Sequence, residues 1–195
     1  MQAPVFELPS IAFWGRSMSE YLQFFNLSMG DLRDRSVLDV AVGPSSFTAE
    51  ACRAGIDVVA VDPLYGKSAE ALAAHVKLDY GHMFDRMRAT ENSGRFRFKS
   101  IDEAERNRRA AARRFVTDYE SHYAQGRYFG AGLPQLPFLD RNFDVVLCAH
   151  LLYLYPANHD YSFHFEACRK LICGWRGKKY GFTPCVVLMG DRSRN

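Results

Sequence analysis

The stretch from residue 36 to residue 62 constrains the fold of this chain more than any other. Residues 36–42 (Ser-Val-Leu-Asp-Val-Ala-Val) are almost continuously apolar, the pattern of a strand buried on both faces. The run ends at Gly43-Pro44-Ser45-Ser46, a turn of small residues, and residues 47–54 read as a helix. Pro44 suits a first helical turn, where its missing N–H costs little, and Gly55 is placed to end the helix. Residues 57–61 supply a second apolar strand that stops at Asp62-Pro63. Strand, turn, helix, strand and acid in that order make a βαβ unit. The fold expected from it is α/β: a Rossmann-like, doubly wound, mostly parallel sheet with flanking helices.

Around this unit the chain reads as one domain over residues 1–195, and 48% hydrophobic residues suffice for its core. Residues 1–34 form an N-terminal helical segment. From residue 13 to residue 27 it is aromatic-rich, with Tyr21, Phe24 and Phe25 at helical spacing, and reads as a helix packed across the sheet or the ligand cleft. Residues 35–171 are the core. A helical insertion at about 66–126 separates its second and third strands, where a simple crossover needs only about 10–12 residues. Within it residues 68–77 and 101–123 read as helices, Asn92-Ser93-Gly94 parts them, and a strand follows near residues 127–129. The arginines at 106, 108, 109, 113 and 114 read as a solvated helix face, with Glu105 and Arg109 as an i,i+4 pair. The sharper alternative is a phosphate or nucleic-acid contact, but no aromatic residue interleaves them.

Several classes are excluded early. No apolar run approaches the roughly 18–20 residues of a membrane span. Residues 1–10 carry Pro4, Glu7 and Pro9 and lack the basic start and apolar core of a secretory signal. Five cysteines without a C-x-x-C pair suit reduced thiols in a cytoplasm, and neither they nor the six scattered histidines suggest a metal centre. A net charge of +3 is too small to argue for nucleic acid, although it does not exclude it.

The chemistry is concentrated at the strand ends. Asp62 lies 19 positions after Gly43, near the spacing at which a carboxylate accepts hydrogen bonds from both ribose hydroxyls of a nucleotide. A dinucleotide wants backbone N–H groups around its pyrophosphate, yet Pro44 removes one donor. Asp39 sets a carboxylate near the turn, where it repels phosphate and attracts an ammonium. S-adenosylmethionine carries an ammonium and no phosphate, so these residues favour it over NAD.

The motifs also carry a family resemblance. Residues 37–47, Val-Leu-Asp-Val-Ala-Val-Gly-Pro-Ser-Ser-Phe, resemble the first motif of class I S-adenosylmethionine-dependent methyltransferases, commonly acidic-x-Gly-x-Gly-x-Gly. Val59-Ala60-Val61-Asp62 resembles the second motif. Residues 136–150 (Leu-Pro-Phe-Leu-Asp-Arg-Asn-Phe-Asp-Val-Val-Leu-Cys-Ala-His) resemble the family's fourth-strand segment. Ala41 and Ser45 replace two of the three glycines and leave only Gly43; both are small enough for close approach. The family's acid for the adenine amine has no counterpart in Gly132-Leu133-Pro134-Gln135, which leaves adenine to backbone groups and to Leu133.

The resemblance implies methyl transfer from S-adenosylmethionine. Asp39, Ala41, Gly43, Pro44 and Ser45 would line its methionine and ribose side, with Asp62 and Pro63 on the ribose. Cys148 and His150 end the fourth strand, where the methyl acceptor arrives, and His150 is the candidate general base. Tyr153 and Tyr155 are candidate acceptor contacts, and Arg16 a candidate for the cofactor carboxylate. The acceptor is a small molecule or macromolecule of unspecified class. The alternative reading is a non-catalytic binding or scaffold protein that retains the fold.

Residues 172–195 depart from the family. After a helix at 157–171, residues 173–181 show no strand periodicity. One permitted set of codons for residues 172–185, read in another frame, encodes a helix end, a turn glycine and an alternating strand. The expectation is that a frameshift near Ile172 replaced the native C-terminus and that the last strands of the sheet are missing. Otherwise Cys185-Val186-Val187-Leu188-Met189 supplies a substitute strand.

Overall fold

The computed structural model describes residues 13–89, 98–149, 151–152, 159–176, 179–182 and 186–189. Its centre is the expected βαβ unit: β1 (Ser36–Val40), α3 (Phe47–Arg53) and β2 (Asp57–Asp62). β1 pairs in parallel with β2 on one side and with β4 (Val145–Cys148) on the other, and β3 (Tyr128–Gly130) lies parallel to β2. With β5 at Lys179–Phe182 and β6 at Val186–Met189, the sheet order is β3-β2-β1-β4-β6-β5.

Alternation along the strands explains the layers. Val37, Val145 and Leu147 pack with Tyr21 and Phe25 from α1 (Met18–Phe24) and its end, and with Phe47 of α3. Leu38, Val40, Val146 and Cys148 point the other way, to Ala167 and Leu171 of α6 (Tyr161–Gly174). Successive side chains of a strand face opposite sides, so both faces of the parallel strands β1 and β4 are covered.

The insertion is helical, but its first helix is longer than the sequence suggested. α4 spans Ala69–Ala89, passing Gly81, because Leu72, Val76, Tyr80, Phe84 and Met87 extend one apolar stripe along its whole length. That stripe packs with Ala104, Ala112, Phe115 and Tyr119 of α5 (Ile101–His122). Residues 92–94 lie outside the described residues.

Three local expectations need correction. α3 starts at Phe47 with Ser46 as its N-cap, so Pro44 belongs to the turn and not to a first helical turn. Residues 13–17 are not helical: Ser17 and Glu20 form a capping box that starts α1 at Met18, and the short α2 (Met29–Leu32) follows. Arg108 is not on a solvated face. It is 6% exposed and paired with Glu20, whereas Arg109 does make the expected pair with Glu105.

The C-terminal expectation is corrected as well. Two strands are present, β5 (Lys179–Phe182) and β6 (Val186–Met189). β6 runs antiparallel to β4, with Leu188 opposite Val146, and β5 runs antiparallel to β6. The substitute-strand alternative therefore describes this edge, since the backbone of β4 finds a partner beyond β1. Among the described residues no helix is long and apolar enough to cross a membrane.

Candidate ligand-binding site

The carboxyl ends of β1 and β4 are neighbours, but the chain leaves β1 towards α3 on one face and β4 towards α6 on the other. Strand ends at such a divergence are where ligands of doubly wound sheets bind. Most residues singled out in the sequence converge here. Ala41 (φ +57°) follows β1 and donates its N–H to Val61 O at 2.9 Å. Gly43 (φ +58°) is fixed at both ends: its N–H donates to Asp62 Oδ2 at 2.9 Å, and its carbonyl accepts the Tyr65 hydroxyl at 2.7 Å.

Asp62 thus has a visible structural task. Its Oδ1 accepts the Leu64 N–H at 2.9 Å, so one carboxylate ties the turn after β1 to the turn after β2. Burial lifts its carboxyl above the ordinary aspartate value, and the Leu64 and Gly43 N–H groups oppose that rise. Each carboxylate oxygen keeps a lone pair that these bonds do not use.

Asp39 is wholly buried beneath the turn. Thr48 Oγ1 stands 3.5 Å from its Oδ2, while its Oδ1 has no hydrogen-bond partner. Burial holds this carboxyl well above the usual range, despite hydrogen bonding from Tyr21 and Thr48. A buried acceptor without a partner is uncommon and points to a missing donor.

Above Asp39 the turn is covered by residues 13–17, which run over it as a strap. The Arg16 carbonyl accepts the Ser46 N–H at 2.9 Å and the Ser45 hydroxyl at 2.7 Å. Phe47 N–H donates to Ser45 Oγ at 3.2 Å, so these donors at the start of α3 are already used. Backbones touch: a Cβ on Gly15 would fall 2.0 Å from Pro44 O, and one on Gly43 would fall 3.0 Å from Trp14 N. Only glycine permits that approach. The Arg16 guanidinium lies 5.6 Å from the centre of the Phe24 ring.

The remaining proposed residues sit on the α6 side of these strand ends. Pro63 abuts Gly132, with its Cγ 2.7 Å from where a Cβ would stand on that glycine. Ala41 and Leu133 pack on the apolar cluster that holds Val40, Val61 and Cys148. Around these strand ends Asp39, Ser45 and Asp62 are the polar groups, and Ala41, Leu133 and Cys148 the apolar ones. His150, Tyr153 and Tyr155 lie outside the described residues. No group of three His, Cys, Asp or Glu residues able to hold a metal ion occurs among the described residues.

No family model matches the chain, and no solved structure matches it. Over 181 residues it is 32% identical to Uncharacterized protein MJ0045 of Methanocaldococcus jannaschii, a match covering 92% of this chain and 80% of that protein. The chain belongs to that protein's family. The shared sequence extends over most of the fold and is not confined to the βαβ unit.

Within this family member, sequence reasoning missed the side chains that complete the turn. Tyr21 read as an ordinary core aromatic and Tyr65 received no role, although both reach polar groups at the site. Ser17-Met18-Ser19-Glu20 did carry a usable signal. A Ser-x-x-Glu capping box starts a helix at its second residue and leaves the preceding Trp14-Gly15-Arg16 free to be extended. Glu20 and Arg108, 88 positions apart, gave no sequence signal of their pairing.

Proposed function

We propose that this protein is a cytoplasmic S-adenosylmethionine-dependent methyltransferase that binds its cofactor at the carboxyl ends of β1, β2 and β4. One observation carries the reading: the unpartnered Oδ1 of wholly buried Asp39 beneath a turn where the N–H groups of Gly43, Ser46 and Phe47 are already used. That donor set suits a cation and disfavours a phosphate, the distinction between S-adenosylmethionine and NAD. Asp39 would hold the ammonium, and Ala41, Gly43, Pro44 and Ser45 would let the methionine and ribose side approach closely. Asp62 would accept ribose hydroxyls on its unused lone pairs beside Pro63, while Leu133 and Cys148 give adenine an apolar wall. Bound there, S-adenosylmethionine supplies a methyl group activated by its sulfonium. The protein's share is proximity and alignment of an acceptor arriving past Cys148, with His150 as the base where the acceptor must lose a proton.

Calorimetric titration with S-adenosylmethionine tests this. Asp62→Ala should weaken binding by about 1.5–3 kcal/mol, as charge-assisted hydrogen bonds do. Asp57→Ala, at the exposed far end of the same strand, should leave affinity unchanged. Equal affinities for wild type and a folded Asp62→Ala would remove the ribose assignment.

A second reading, a non-catalytic scaffold, has one observation in its favour: the backbone of residues 14–16 occupies the space directly over the turn. Failure of the wild type and of strap-loosened variants to bind at millimolar cofactor would favour it.

A further inference from the structure

The attachments of the strap are unequal. To the turn it covers, it offers the Arg16 carbonyl, which accepts from Ser45 and Ser46, and the close backbone approach of Trp14 and Gly15 to Gly43 and Pro44. Its other anchors are on the helical insertion. Phe13 N–H donates to Asp79 Oδ2 at 2.9 Å, and Gly15 N–H to the Tyr80 hydroxyl at 3.2 Å. The Trp14 ring packs against Tyr80 and Phe84, with centroids 4.9 and 5.1 Å away, and the Arg108 guanidinium stands 5.5 Å from it. Glu20 completes the attachment. Its carboxylate accepts the Ser17 N–H at 2.9 Å, where the strap ends, and forms a two-pronged pair with Arg108 on α5. One carboxylate therefore fixes the end of the strap to the insertion.

We propose that residues 13–17 are a gate: the strap lifts from the turn at 43–46 to admit a ligand to Asp39 and Gly43, and the Glu20–Arg108 pair is its latch. The insertion then has a task, which is to hold the strap closed from outside the sheet. For the identity of the ligand the gate rests on the preceding reading; for the motion it does not. A latch of this kind has a distinctive sign. When only the open form binds, apparent affinity is the intrinsic affinity multiplied by the open fraction, so weakening the latch tightens binding. A residue that merely supports the fold would do the reverse.

The test compares wild type, Glu20→Gln and Asp79→Ala by hydrogen exchange and by calorimetry with S-adenosylmethionine. Glu20→Gln should speed exchange at residues 13–17 and 43–47 on the order of tenfold, leave β1 and β4 protected, and tighten binding by a similar factor. Should Glu20→Gln fail to fold, Asp79→Ala removes an outer anchor, together with a half-exposed contact to His75 at 3.8 Å, and buries no unpaired charge. It should move the same segments in the same direction by a smaller factor. Faster exchange of β1 and β4 in step with the strap would overturn the gate, as would selective strap exchange accompanied by weaker binding. Selective exchange with no binding by any of the three proteins would keep the gate and remove the cofactor assignment.

Discussion

Glu20 and Asp39 are buried almost equally deep, at 3% and 0% exposure, and their protonation equilibria move in opposite directions. Burial pushes both carboxyls up. For Glu20 the hydrogen bonds and charge of Arg108, with help from Ser17, more than reverse that push and hold it below the ordinary glutamate value. Asp39 has the neutral hydroxyls of Tyr21 and Thr48, with Asp62 adding repulsion, and stays well above the ordinary aspartate value. The difference separates a carboxylate used to hold the structure from one kept without its donor. Depth does not decide the matter; the fork of a guanidinium does.

Removing the partner tests the first half of this contrast most severely. Glu20→Ala strands the Arg108 guanidinium at 6% exposure and should cost about 3–5 kcal/mol in denaturant unfolding. A loss below about 1 kcal/mol, the scale of an exposed pair, would show that water reaches the site. Asp62→Ala comes next. It leaves the Gly43 and Leu64 N–H groups without their acceptor and should cost about 2–3 kcal/mol, with Asp62→Asn recovering part through its remaining carbonyl. Asp39→Asn should run the other way and raise stability at neutral pH by about 1 kcal/mol, because no cation is lost and no charge need be kept out of water. A destabilisation as large as that of Asp62→Ala would assign Asp39 to the fold instead of the ligand.

The two acids also carry opposite pH signatures. Glu20 has its folded value depressed, so its stabilisation is present above the unfolded value near 4.5 and fades as pH falls through the folded one. Asp39 has its folded value raised, so stability is lost as pH climbs from the unfolded value near 3.8 through the folded one. Melting curves of wild type and Asp39→Asn should therefore converge near pH 4 and separate, with the variant higher, as pH rises to about 7. Parallel curves over that window would mean that Asp39 titrates normally.

What the sequence revealed follows the same division between local and distant partners. The βαβ unit was legible because residues 36–62 carry their own pattern and turn. The full length of α4 was not read, because Gly81 and the polar residues around it interrupt the stripe that Tyr80, Phe84 and Met87 continue beyond residue 77. The convergence of Asp39, Gly43 and Asp62 could be read from spacing, since strand ends of parallel neighbours come together. The cover over them could not. It depends on Gly15 meeting Pro44 and on Glu20 meeting Arg108, contacts made by folding and carrying no short-range pattern. β6 stood only as the alternative for a related reason: Val186–Met189 gains its meaning from the open backbone edge of β4.

Paired calorimetric titrations of wild type and Glu20→Gln, one with S-adenosylmethionine and one with NAD, set the cationic ligand against the phosphate-bearing one at the same turn. S-adenosylmethionine should bind both proteins, more tightly when the latch is weakened, and NAD should bind neither. Binding of NAD, or of neither ligand by either protein at millimolar concentration, would contradict the assignment of Asp39 and the turn to an ammonium-bearing, phosphate-free cofactor.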